Sequence, residues 1–221
     1  MNIFEALTKR KSIRAFLDKQ VSQEKIRRII NHARYAPSGT NTQPWQVAVV
    51  MGEKKKQLVE QLQDAFHAGI KGKMDYHYYP LEWTSPYKDR RKACGLKLYQ
   101  TLRIRREDKD KQKAHWSRNY RGFDAPVILF FFMDKILETG SYLDYGMFLQ
   151  SIMLGAVEEG LATCPQASLG EYPQIVKQQL GYPEDSILIC GMAMGYEDTK
   201  AKINSYRLDR EDVDSFVSFF K

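Results

Sequence analysis

Arg10-Lys11-Ser12-Ile13-Arg14-Ala15-Phe16 and Ala36-Pro37-Ser38-Gly39-Thr40-Asn41-Thr42-Gln43-Pro44-Trp45 are two short stretches separated by one helical run. The first puts three cations and a hydroxyl within five residues. Arg10, Ser12 and Arg14 alternate, so an extended backbone points all three to one side. Arginine grips a phosphate with parallel N–H bonds, and serine adds a hydroxyl donor. The same pattern also fits a surface loop or a phosphorylation site. In the second stretch Gly39 permits close backbone approach, and Asn41 offers both a donor and an acceptor. Those groups suit the edge of a planar heterocycle; they equally suit a helix C-terminal turn punctuated by Pro and Gly. Together the two stretches point to one ligand, anionic at one end and aromatic at the other.

Outward from this pair, the chain reads as alternating helices and strands. Residues 2–9 form a short helix, with Ile3, Phe4 and Leu7 on one side. Ser22 is the N-cap of the next, whose buried face is Ile26, Ile29, Ile30 and Ala33 and whose stop is Pro37. Val47, Val49 and Val50 make 46–51 a strand, and Leu58, Leu62 and Phe66 give an amphipathic helix over 54–66. Residues 69–88 carry four tyrosines, Trp83 and two prolines in neither period. They are either a loop packing its aromatics on a neighbour or a pocket wall over an aromatic ligand. A basic helix follows to about Leu102, then a charged, partly helical stretch over 105–119 and a strand from Ala125 to Met133. The longest helical pattern is 141–162, apolar on more than one face and so buried on both sides. Residues 163–170 read as a loop, 174–180 as a short helix, 186–195 as a buried strand, 198–205 as an exposed loop and 210–220 as a terminal helix. The order points to one α+β domain over 1–221, with an irregular excursion at about 66–121.

Composition narrows the function. With 221 residues, 43% of them apolar, the chain supports a real core. A net charge of +7 permits attraction to anions, but the cations are spread along helices as on a solvated surface. Cys94, Cys164 and Cys190 form no CxxC pair and no metal spacing, as in a reducing cytoplasm. No apolar run approaches the ~20 residues that span a bilayer, and the N-terminus lacks the pattern of a signal peptide. There is no G-x-G-x-x-G after a strand, no P-loop and no H-E-x-x-H. The four histidines are scattered. No acid/base pair or metal set stands out, which suits an enzyme whose cofactor carries the chemistry.

The R-x-S-x-R-x-F and A-P-S-G-x-N-x-Q-P-W pair resembles the start of the FMN-dependent nitroreductase family. Three further blocks match it in order: Cys164-Pro165-Gln166-Ala167-Ser168, Gly191-Met192-Ala193-Met194-Gly195-Tyr196 and Lys202-Ile203-Asn204-Ser205-Tyr206-Arg207. The resemblance covers about residues 8–210, most weakly across the excursion. It implies an α+β fold with a central, mainly antiparallel sheet flanked by helices. It also implies an intertwined homodimer with FMN at the interface and the 141–162 helix in the dimer core. The phosphate would be held by Arg10, Lys11, Ser12, Arg14 and Arg207. The ring would be held by Pro37, Ser38, Gly39 and Asn41 and by Pro165, Gln166, Ala167 and Ser168, some from the partner. No side chain is implied as catalytic and no metal is implied. Backbone N–H groups after the long helix would stabilise negative charge on the reduced ring. Ser205 stands where some members carry lysine, which leaves a contact from Lys202 open.

The implied activity is ping-pong reduction of nitroaromatics, quinones or similar acceptors by NAD(P)H, in the cytoplasm, with neither nucleic acid nor membrane as partner. Two alternatives remain at this point. One is another reaction on the same fold, a dehalogenase or a flavin-destructive enzyme. The other is a non-catalytic basic protein, nucleic-acid-binding or adaptor, which has no need for Arg10, Arg14 and Asn41 together.

Overall fold

The computed structural model describes residues 1–221. In chain order its elements are α1 (Ile3–Lys9), α2 (Gln23–Ala33), β1 (Gln46–Met51), α3 (Gly52–His67), α4 (Tyr87–Leu102), α5 (Lys109–Ser117), β2 (Val127–Met133), α6 (Gly140–Glu158), β3 (Ala162–Gln166), α7 (Pro173–Leu180) and β4 (Ile187–Gly195). The four strands form one sheet in the order β1-β2-β4-β3, antiparallel at every pairing. This is the expected α+β architecture. No helix is long and apolar enough to cross a membrane.

The sequence Val127-Ile-Leu-Phe-Phe-Phe-Met133 explains why helices lie on both sides of the sheet. All seven residues are buried, and successive side chains of a strand face opposite ways. Val127, Leu129, Phe131 and Met133 meet Ile26 and Ile29 of α2 and Tyr145, Phe148 and Ile152 of α6. Ile128, Phe130 and Phe132 meet Leu58 and Leu62 of α3, Val176 of α7 and the rings of Tyr120 and Tyr172. Trp45 stacks flat on Phe148 at 4.6 Å between centroids. The Tyr145 hydroxyl donates to the Phe132 carbonyl and accepts the Gln46 N–H at 2.9 Å. It thereby fixes α6 to the end of β1.

Several boundaries depart from expectation. Ser22 does cap α2, accepting the Lys25 N–H, but the helix ends at Ala33, ahead of Pro37. The long helix stops at Glu158 rather than 162, where Gly160 turns the chain with a φ of 72°. Residues 162–166, expected mostly as loop, are the edge strand β3, followed by a 3-10 turn over Ala167–Gly170. Proline is tolerated in a strand only where its missing N–H is not called on, and Pro165 meets that condition here. The Thr163 carbonyl points out of the sheet to accept the Ile13 N–H at 3.0 Å. Alternation then turns Pro165 the same way, where no ladder donor is needed. The stretch 198–205, expected to be exposed, buries Ile203 and Asn204.

The terminal helix expected at 210–220 is absent; only a 3-10 turn, Val213–Ser215, forms. Its apolar residues have helical spacing, but Phe216, Phe219 and Phe220 are exposed. A short helix without a surface to pack on does not hold in water. Between His67 and Tyr87 there is neither helix nor strand, as expected. That stretch is nonetheless tied down. Tyr76 Oη donates to the Ile189 carbonyl at 2.7 Å, and Tyr172 Oη donates to that of Ile70 at 3.0 Å. Asp75 pairs with buried Lys177 at 2.9 Å and accepts the Leu188 N–H.

The Gly-x-x-x-Gly at the end of β4 is a packing device. A Cβ on Gly191 would stand 2.5 Å from Leu169 Cδ1. Gly191→Ala should therefore lower stability by roughly 1–3 kcal/mol through overpacking, read as a lower denaturation midpoint with an unchanged m-value.

Candidate active site

Residues 10–16 run beside the free edge of β3, with Ser12 opposite Thr163. Ile13 is buried and pins the segment, while Arg10, Ser12 and Arg14 on either side are half-buried. The C-terminal segment returns to the same corner. Arg207 Nη2 donates to the Arg10 carbonyl at 2.9 Å, and Arg118 Nη2 donates to that of Arg14 at 3.1 Å.

Arg10, Arg207 and Arg210 thus share one locality. The Arg10 guanidinium is held below the ordinary arginine range, first by burial and then by repulsion from Arg210 and Arg207. No ion pair in the chain includes Arg10, Arg14, Arg207 or Arg210. Three carboxylates of this region are engaged with other cations: Glu197 with Lys11 at 3.0 Å, Asp124 with Arg121 at 2.8 Å, Glu211 with Arg90 at 3.0 Å. Lys11, expected with the phosphate group, instead bridges Glu197 and the Asn204 carbonyl, the latter at 2.5 Å. Beneath the cluster, burial pushes the Cys164 thiol up to about 11, against the pull of Arg14, Ser12 and Arg10. It is a protonated, packed thiol at neutral pH.

Gln166 ends β3 with 5% of its surface exposed. Its Nε2 donates to the Asn119 carbonyl at 2.9 Å, while its Oε1 is buried without a partner. Thr163 Oγ1 is likewise buried and unpaired. A buried acceptor left without a donor costs about 1–3 kcal/mol. Ala167 and Ser168 open the following 3-10 turn, where the first backbone N–H groups lack partners within the turn.

The Pro37–Asn41 loop lies elsewhere. Gly39 N–H donates to both oxygens of buried Asp144, at 3.2 and 3.3 Å, and Ser38 Oγ accepts the Gln43 N–H at 3.0 Å. Thr40, Asn41 and Gln43 all have φ near +50 to +60°. Such residues cost of order 1–3 kcal/mol each and cluster at ligand sites. The loop feeds the Gln46 end of β1, level with Phe132, while Thr163 is level with Met194 and hence Val127. The Pro37–Asn41 loop and the 10–14 segment therefore lie at opposite edges of one sheet and towards opposite ends of it, whereas Gln166, level with Gly191 and hence Phe130, lies further along β3 towards the loop's end. Gln46 and Thr163 are separated by three strand spacings, roughly 14 Å, across the sheet and roughly 17 Å along it.

Of the thirteen expected site residues, the β3 edge gathers Arg10, Lys11, Ser12, Arg14, Pro165, Gln166, Ala167, Ser168 and Arg207, and the β1 edge gathers Pro37, Ser38, Gly39 and Asn41. Sequence reasoning missed Arg210, Asn204 and Asp144. Arg210, three residues beyond Arg207, had a signal in that spacing but was assigned to a helix. The other two carried none, because their partners lie far away in sequence.

A family model described as "Nitroreductase family" matches residues 7–196. The nitrobenzene nitroreductase of Ectopseudomonas oleovorans is 34% identical over 98% of this chain and 96% of its own length. The solved FMN and NADPH-dependent nitroreductase NfnB from Sphigopyxis sp. strain HMH is 39% identical, with a TM-score of 0.96 over 100% of both chains. The FMN-dependent NfnB of Mycobacterium smegmatis, solved in complex with NADPH, is 32% identical, with a TM-score of 0.94 over 99% of this chain and 97% of that one. This chain belongs to the nitroreductase family.

His115 adds a pH dependence to the basic corner. It is 8% exposed, lies edge-on to Tyr99, and is held down to about 4 by burial and then by Arg118 and Arg14. Between about pH 6.5 and 4 the unfolded chain binds a proton here that the folded chain does not. Stability from this group is therefore full above about pH 6.5 and declines towards pH 4, by roughly 3 kcal/mol at most. His115→Gln should flatten that part of the pH–stability curve relative to wild type, as read by denaturant titrations at pH 7 and pH 4.5.

Proposed function

We infer that this protein is an FMN-dependent oxidoreductase that uses NAD(P)H to reduce nitroaromatic compounds and similar acceptors. The observation that carries the reading is the set of guanidinium groups at Arg10, Arg207 and Arg210, mutually repelling and without a carboxylate, at the edge of β3. The residues fit FMN. The cations match a phosphate dianion, and the orphaned acceptor of Gln166 calls for an N–H such as a flavin ring carries. Membership of a family that includes nitrobenzene nitroreductase and FMN- and NADPH-dependent NfnB supports the activity. Bound FMN supplies the redox chemistry that couples NAD(P)H oxidation to acceptor reduction.

The chain's own groups would do the following. Arg10, Arg14 and Arg207 hold the phosphate, with Ser12 adding a hydroxyl. Gln166, oriented by Asn119, reads the ring edge, and the Ala167 and Ser168 N–H groups face developing negative charge. The cluster of Tyr76, Tyr78, Tyr79 and Trp83, whose successive rings lie 4.7–6.3 Å apart, offers a wall for a planar acceptor. Lys11 acts as a brace, since its ammonium is already shared with Glu197.

A homodimer completes the site. One chain cannot bring Ser38 and Asn41 to its own phosphate corner, but a two-fold partner can present them there. Ile3, Phe4 and Leu7 of α1 and Leu143 of α6 are exposed and apolar, and they supply surface for that contact. Three free thiols, two of them buried, are in keeping with a cytoplasmic protein.

Two measurements test this reading. Purified protein should show flavin absorption bands, or gain them on adding FMN, and anaerobic NAD(P)H should bleach them. A colourless protein that takes up no FMN would sink the proposal. Arg207→Ala should raise the FMN dissociation constant by roughly 10- to 100-fold, the scale of one lost charge-assisted hydrogen-bonded contact, with little change in turnover at saturating FMN.

A further inference from the structure

Asn204 stands between the two chain segments that carry the basic cluster, and nothing in the redox chemistry calls for it. It is 3% exposed and ends the short turn Lys202–Asn204. Its Oδ1 accepts the Arg14 N–H at 2.9 Å. Its Nδ2 donates to the Ala15 carbonyl at 2.8 Å and to the Asp198 carbonyl at 2.9 Å. Its own carbonyl accepts from Lys11 Nζ. One side chain thus meets an N–H with an acceptor and two carbonyls with donors. Among residues of this size only asparagine has that pattern, since aspartate lacks the donors and leucine lacks both.

We propose that Asn204 is a positioning residue for the cofactor phosphate, setting the distance between Arg10 and Arg14 on one segment and Arg207 on the other. Arg10 and Arg207 repel each other, so the corner opens unless something else holds the segments together. Only Ser205 and Tyr206 separate Asn204 from Arg207, which itself closes onto the Arg10 carbonyl. The clip and the grip are therefore one short unit. The side-chain bonds of Asn204 all go to backbone groups of the segments that carry the cations, so its effect should fall on the phosphate end alone. The inference rests on the reading of this corner as the FMN phosphate site.

The test compares FMN with riboflavin, which has the same ring and no phosphate. Dissociation constants for both are measured by flavin fluorescence on wild type, Asn204→Ala and Asn204→Asp. Asn204→Ser, which keeps an acceptor, covers the case in which the alanine variant fails to fold. The expected result is a wild type that prefers FMN, and variants whose preference falls by about tenfold or more, the scale of a misplaced charge-assisted contact. Almost all of that change should lie in FMN. Variants that weaken both ligands equally, or neither, would overturn the positioning role. A wild type without preference for FMN would overturn the phosphate reading itself, and that result is seen before any variant is made.

Discussion

Strand β2 is buried on both faces along its whole length, and the rest of the molecule is arranged to keep it so. Seven consecutive apolar residues cannot leave one side of a sheet open to water without a large cost, at roughly 25 cal/mol per Å² of apolar surface. Helices α2 and α6 cover one side, and α3 and α7 the other. Strand β4 takes one edge of β2 and β1 the other, leaving β1 and β3 as the outer strands. Both halves of the candidate site hang from those outer strands. Their positions follow from the burial of a strand that carries no site residue.

The basic corner shows a second balance. Clustered guanidinium groups oppose folding, and the compensation here comes from hydrogen bonds to backbone: Arg207 to Arg10, Arg118 to Arg14, Lys11 and the Asn204 amide to their neighbours. The charges of Arg10, Arg14, Arg207 and Arg210 are left without a carboxylate partner, while Lys11 pairs with Glu197 and Arg118 with Asp124. Oriented cations held ready in a partly buried place interact with an anion more strongly than the same groups free in water. The far corner follows the same economy by other means. There Asp144 fixes Gly39, and three non-glycine residues are held at positive φ.

How much of this was legible follows from where the interactions lie. Strands β1, β2 and β4 and helices α2, α3, α6 and α7 could be read because their patterns are local: alternation, helical spacing and a Ser22 cap. Strand β3 was not, because Pro165 reads as a break until the side of the strand it occupies is known. Residues 210–220 carry a helical pattern that nothing within this chain rewards. At the site, Arg10, Ser12, Arg14 and Arg207 stood out as charge near motif. Asn204 did not, since its meaning lies in Arg14, 190 residues away in sequence. Lys11 showed its charge but not that Glu197 already claims it.

The diagonal placement of the two corners bears on how the protein holds a small molecule at low abundance. In the two-chain site proposed above, a ligand that takes one corner from each chain is a cross-link as well as a guest. Its binding and the pairing of subunits then become linked equilibria, each strengthening the other by mass action. Occupancy in such an assembly depends on protein concentration as well as ligand concentration. Dilution loosens the ligand, and a plentiful ligand keeps subunits together that would separate when empty.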